Sequence, residues 1–171
     1  MIKLTEILQD SEELRHLKKE GATAKKAAAF LLSQKGLDAA DGFILRLKEQ
    51  SKLKDWIALY RSHSVMSGTP IFWINSNLRE YARQIDPGIN IVRVMTDSII
   101  HEWWHAICEA LKMASYRKTP LKIQVVEDMK VEEQMAEKFI AFCGGDAWSV
   151  VSDKEAEYFE LAIEEFNNLW A

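Results

Sequence analysis

The sequence predicts an α+β fold, and three observations carry that expectation. Stretches at both ends repeat apolar residues at helical spacing, a short β-branched and aromatic run lies between turn formers in the middle, and a later amphipathic helix contains His101-Glu102-Trp103-Trp104-His105. A chain of 171 residues is one domain, or one domain with a helical extension, and can bury a sizeable core. Residues 1–65 read as a helical N-terminal region, and residues 66–171 as a core with a C-terminal helix. Hydrophobic content of 48% and charged content of 28% are those of a globular protein. The net charge of -4 gives no general attraction to DNA or RNA, so no nucleic-acid partner is expected. No window approaches a membrane span, and Met1 to Leu8 lacks an export pattern. The chain therefore reads as cytoplasmic, with Cys108 and Cys143 as reduced thiols and Cys108 a small core residue.

Taken in order, Thr5 to Lys19 and Ala22 to Gln34 read as two helices, the first ending at Gly21 and the second at Gly36. A third helical run is expected from about Asp38 to Tyr60, with Gly42 a possible interruption. Lys25, Lys26, Lys52 and Lys54 read as a solvated face, because acidic residues are interleaved and no aromatic series accompanies them. Ser67-Gly68-Thr69-Pro70 breaks the pattern, and Ile71 to Asn75 reads as a strand. At a sheet edge this strand would pair with an extended peptide substrate; inside the sheet it would be core. Asn77 to Gln84 reads as a short helix ended by Asp86-Pro87-Gly88. Ile89 to Met95 reads as a strand or extended run leading to a helix capped by Asp97 or Ser98. Tyr116 to Pro120 is a break, Leu121 to Val126 alternates like a strand, and Val131 to Phe142 is helical up to Gly144-Gly145. Asp153 is expected to cap a last amphipathic helix that runs to Trp170 and packs on the core.

On a helix, residues four apart lie nearly on one face, so His101 and His105 can reach one metal ion. Glu102 lies beside that face, where it can hold a water and take its proton, while two neutral imidazoles suit zinc. Ile99, Ile100, Trp103, Ala106, Ile107, Ala110 and Leu111 gather on the opposite side, which is expected to be buried.

Catalytic zinc usually has three protein ligands and one open position. A third histidine six residues after His105, with glycine at 108, would mark one class, but those positions hold Leu111 and Cys108. The third ligand is therefore expected to be a carboxylate on a later helix. Glu133, at the edge of the apolar face of Val131 to Phe142, is preferred, with Glu132 and Glu127 as alternatives. Glu137, one turn on, can hydrogen-bond a ligand histidine from behind.

His101-Glu102-Trp103-Trp104-His105 followed by Glu133-Gln134-Met135-Ala136-Glu137-Lys138-Phe139 resembles the gluzincin metallopeptidases, most nearly the minimal ImmA/IrrE-like peptidases of bacteria and their mobile elements. The resemblance covers Ile71 to about Gly144. It implies a zincin-like core, a small sheet with an active-site helix and a glutamate helix, preceded by a helical extension. It further implies zinc on His101, His105 and Glu133, and hydrolysis of a protein or peptide substrate with Glu102 as general base. The family pattern has aspartate where this chain has Glu137, and smaller residues where it has Trp103 and Trp104; Trp104 is expected to border the ligand face and narrow the cleft. His63, Tyr116 and Tyr158 are candidates for stabilising the transition state. The alternatives are a catalytically silent zinc-binding regulatory or protein-interaction module on the same fold, and an accessory protein whose first third does the binding.

Overall fold

A computed structural model describes residues 4–48, 58–60, 69–145 and 149–170. Helix α1 (Leu4–Gln34) is followed by strands β1 (Ile44–Lys48), β2 (Ala58–Tyr60) and β3 (Ile71–Asn75). Four more helices complete the order: α2 (Leu78–Ile85), α3 (Ile91–Tyr116), α4 (Met129–Phe142) and α5 (Asp153–Trp170). The architecture is α+β, with a small mixed sheet and helices α1, α4 and α5 packed against α3.

The first third departs from the expected three helices. Residues 4–34 form one continuous helix of 31 residues, and Gly21 does not end it. A Cβ at Gly21 would lie 3.2 Å from Cε of Met95 and 3.3 Å from Cδ2 of Leu45, so this glycine marks a close approach of α1 to α3 and β1. The expected end does hold at Gly36, which takes a left-handed φ of +88° while its N–H donates to the Ser33 carbonyl. Asn167 of α5 seals this corner, accepting from the Asp38 N–H at 3.1 Å and donating to the Gly36 carbonyl at 2.7 Å.

The run from Asp38 to Tyr60, expected to be helical, instead supplies β1 and β2 among its described residues. Tertiary pairing overrides the weak local pattern. β1 pairs parallel with β3, Ile44 opposite Ile71 and Lys48 opposite Asn75, and β2 pairs antiparallel, Ala58 opposite Ile74. The order is β1-β3-β2, so β3 is the central strand and not the edge rail for a peptide. Phe72 and Ile74 are fully buried, as a central strand's inward face requires.

Helix α3 organises the core. Asn90, not Asp97 or Ser98, caps it: the Asn90 side chain accepts from the Arg93 N–H at 3.2 Å, and Ile91 to Met95 is helix rather than strand. Ser98 lies within the helix, its hydroxyl donating to the Val94 carbonyl at 2.7 Å. All seven residues expected on the buried face are buried. Trp103 meets Phe43, Phe72 and Phe166 edge-on, at 5.9, 5.5 and 5.9 Å between centroids. Trp104 is equally buried and packs on Phe139 of α4 and on Phe159 and Tyr158 of α5, so it belongs to the core and does not line a cleft. The two tryptophans lock α3 to the sheet on one side and to α4 and α5 on the other, which fixes where the histidines point.

Leu121 to Val126 is not a strand; it crosses α5 as an irregular strap. The Lys122 N–H donates to Glu165 Oε1 at 3.2 Å, and the Tyr158 hydroxyl to the Gln124 carbonyl at 2.6 Å. The strap delivers the chain to Asp128, whose side chain accepts from the N–H groups of Lys130 and Val131 and caps α4. The N-cap of α5 is Ser152, one residue before the expected Asp153: its hydroxyl accepts from the Glu155 N–H at 3.2 Å, while the Glu155 carboxylate accepts from the Ser152 N–H at 3.1 Å. Among the described residues no helix is long and apolar enough to cross a membrane.

Candidate metal centre

Helices α3 and α4 place three side chains around one point. His101 and His105 stand one turn apart on α3, with their Nε2 atoms 3.2 Å from each other. Glu133 of α4 faces both, its Oε2 3.2 Å from His101 Nε2 and its Oε1 2.9 Å from His105 Nε2. Behind each ring lies a further acid. Glu137 Oε1 is 3.3 Å from His101 Nδ1, and Glu132 Oε2 is 2.5 Å from His105 Nδ1.

The Glu132 contact fixes the His105 tautomer: Nδ1–H donates to Glu132 and Nε2 presents its lone pair. Glu137 stands at ion-pair distance from His101 Nδ1, and the Glu133 carboxylate adds only acceptors. Two ring nitrogens and a carboxylate that converge on one point offer a coordination set for a cation. Their separations agree with that reading, because ligand atoms 2.0–2.1 Å from one tetrahedral ion stand about 3.3 Å apart. His101, His105 and Glu133 are accordingly a group able to hold a divalent metal ion.

The electrostatics of the pair are unequal. Burial lowers the His101 pKa, as does the neighbouring His105, and together they outweigh the charges of Glu133 and Glu137. Burial also pulls on His105, but there the Glu132 hydrogen bond and the charges of Glu102, Glu133 and Glu132 prevail and raise it. Glu102, adjacent to the pair on α3, is buried at 7% exposure. The Glu132 carboxyl, opposed by burial but bonded to His105 and Lys112, is held below the usual range.

The three candidates for the carboxylate ligand thus occupy different places. Glu133 faces the histidines, Glu132 is buried behind His105, and Glu127 is exposed at the end of the strap beside Ser115 and Gln124. Of the suggested transition-state stabilisers, Tyr116 is 77% exposed at the end of α3. Tyr158 donates its hydroxyl to the strap, and burial pushes its pKa up to about 12. His63 lies outside the described residues. Cys108 and Cys143 are free and buried, and burial raises both thiols, Cys143 to about 12.

Sequence reasoning missed Lys112, whose Nζ donates to Glu132 Oε1 at 2.7 Å. A signal existed: Lys112 follows His105 by about two helical turns and so shares its face. Comparison with protein-family models, with curated proteins and with solved structures finds no match to the chain, and the functional reading rests on the geometry of the site.

Proposed function

We propose that this protein is a zinc-dependent peptidase of the gluzincin type, resembling the ImmA/IrrE-like enzymes, that hydrolyses a peptide bond of a protein or peptide substrate. The single observation that carries this reading is the convergence of His101 Nε2, His105 Nε2 and Glu133, with an acid behind each imidazole. Among the described residues the set has three ligands, the number of a catalytic centre, whereas a structural zinc site closes its fourth position with protein. The side chain of Glu133 is 56% exposed, so the ligand set borders solvent on its α4 side.

Zinc held by these three residues would act as a Lewis acid, easing deprotonation of water and polarising the scissile carbonyl. Glu102 serves as the general base: its carboxylate accepts the proton of the attacking water and returns it to the leaving amine. Glu132 and Glu137 keep the imidazoles in the tautomer that ligates.

The test compares wild type with Glu102→Gln and His101→Ala in zinc content and in cleavage of a peptide library. Glu102→Gln should retain zinc and lose at least about a hundredfold in cleavage rate, whereas His101→Ala should lose both. Undiminished cleavage by the glutamine variant would reject the assignment of the base.

A further inference from the structure

Glu132 uses both of its carboxylate oxygens, Oε2 on His105 Nδ1 at 2.5 Å and Oε1 on Lys112 Nζ at 2.7 Å. His105 and Lys112 project from α3 and Glu132 from the first turn of α4, so the three form a bracket across the two helices that carry the metal ligands. The carboxylate is the most enclosed member, its side chain 5% exposed against 11% for His105 and 20% for Lys112. A carboxylate that deep needs a cation, and Lys112 supplies it.

The contact also has a geometric consequence. A carboxylate held at one oxygen still turns about its last side-chain bond, whereas one held at both oxygens is fixed, together with any imidazole bonded to it. The acid behind His101 is held more loosely: the Glu137 side chain is 57% exposed and meets Nδ1 at 3.3 Å. Given zinc at His101, His105 and Glu133, we infer that Lys112 is a positioning residue that pins Glu132, through which His105 is aimed at the ion. His105 is then the rigid ligand of the pair and His101 the more adaptable one.

The test is zinc affinity, measured by competition with a chromophoric chelator at fixed pH, for wild type, Lys112→Met, Lys112→Arg, Glu132→Gln and the Lys112→Met/Glu132→Gln double variant. Lys112→Met should bind zinc about ten- to a hundredfold more weakly, as loss of outer-shell support does. Lys112→Arg, which keeps the charge, should recover most of the affinity. The double variant should bind no more weakly than Glu132→Gln alone, because Lys112 acts only through that carboxylate. Cobalt substituted into Lys112→Met should show an altered visible spectrum, a change that loss of fold stability alone would not produce. A folded Lys112→Met that binds zinc as tightly as wild type, or losses that add in the double variant, would overturn the inference. Should Lys112→Met not fold, Lys112→Gln against Lys112→Arg decides: a weak glutamine variant supports the role and equal affinities reject it. Wild type that binds no zinc would instead reject the zinc reading, a result distinct from tight binding by both wild type and variant.

Discussion

Glu137 Oε1 stands 3.3 Å from His101 Nδ1, one helical turn along α4 from the glutamate that faces the Nε2 atom of the same ring. One helix thereby holds both edges of the imidazole, an acceptor at each nitrogen. Glu137→Ala should release the Nδ1 side and lower zinc affinity about ten- to a hundredfold, with chelator competition as the measurement. Glu137→Gln keeps an acceptor and should lose less.

Gly145 sits against α3 and α4 with no room for a side chain. A Cβ there would lie 2.5 Å from Ile140 Cγ2 and 2.6 Å from Asp97 Oδ1. Gly145→Ala should therefore force the end of α4 away from α3 and destabilise by about 1–3 kcal/mol, read as a lower urea midpoint with an unchanged slope. Gly144→Ala meets a different obstacle, the left-handed φ of +87°, and should also destabilise.

The start of α5 links stability to pH. The Glu155 carboxyl is held down at about 2, first by Lys138, whose Nζ lies 2.6 Å away, and then by the Ser152 N–H and hydroxyl. A carboxyl depressed in the folded state adds stability that is present above its ordinary pKa near 4.5 and lost as pH falls towards 2. Glu155→Gln should flatten the fall in stability between about pH 5 and pH 2, measured by denaturation across that range. Ser152→Ala removes the cap itself and should cost about 1 kcal/mol at neutral pH.

Trp103 tests the scaffold beneath the site. It is fully buried against aromatic rings from the loop before β1, from β3 and from α5. Trp103→Ala should cost about 3–5 kcal/mol, enough to threaten a fold of ordinary stability. Trp103→Phe should be milder, and thermal unfolding compares them.

The helices that bear the site were legible because their residues satisfy several rules together. The buried face of α3 follows from its periodicity, and the two histidines one turn apart follow from the helix geometry. What tertiary contacts decide was not legible. Gly21 is no stop because α1 presses on Met95 and Leu45, and Leu45 and Leu47 lie in a strand because β3 offers them a partner. Leu121 to Val126 alternates like a strand yet lies on α5, held by Glu165 and Tyr158. Glu132 and Glu133 are neighbours about 100° apart on one helix, Glu132 on the buried face with Ala136, Phe139 and Ile140 and Glu133 at its exposed edge. Which of them faces the two Nε2 atoms is decided by the positions of Lys112 and the imidazoles.

The most direct measurement is native mass spectrometry of protein equilibrated with zinc and then freed of excess, on wild type, His105→Ala and Glu133→Ala. One zinc ion per chain on wild type, lost or sharply reduced in both variants, is the expected result. Metal-free wild type, or a zinc ion retained undiminished when Glu133 is removed, would contradict a centre built from two histidines of α3 and a glutamate of α4.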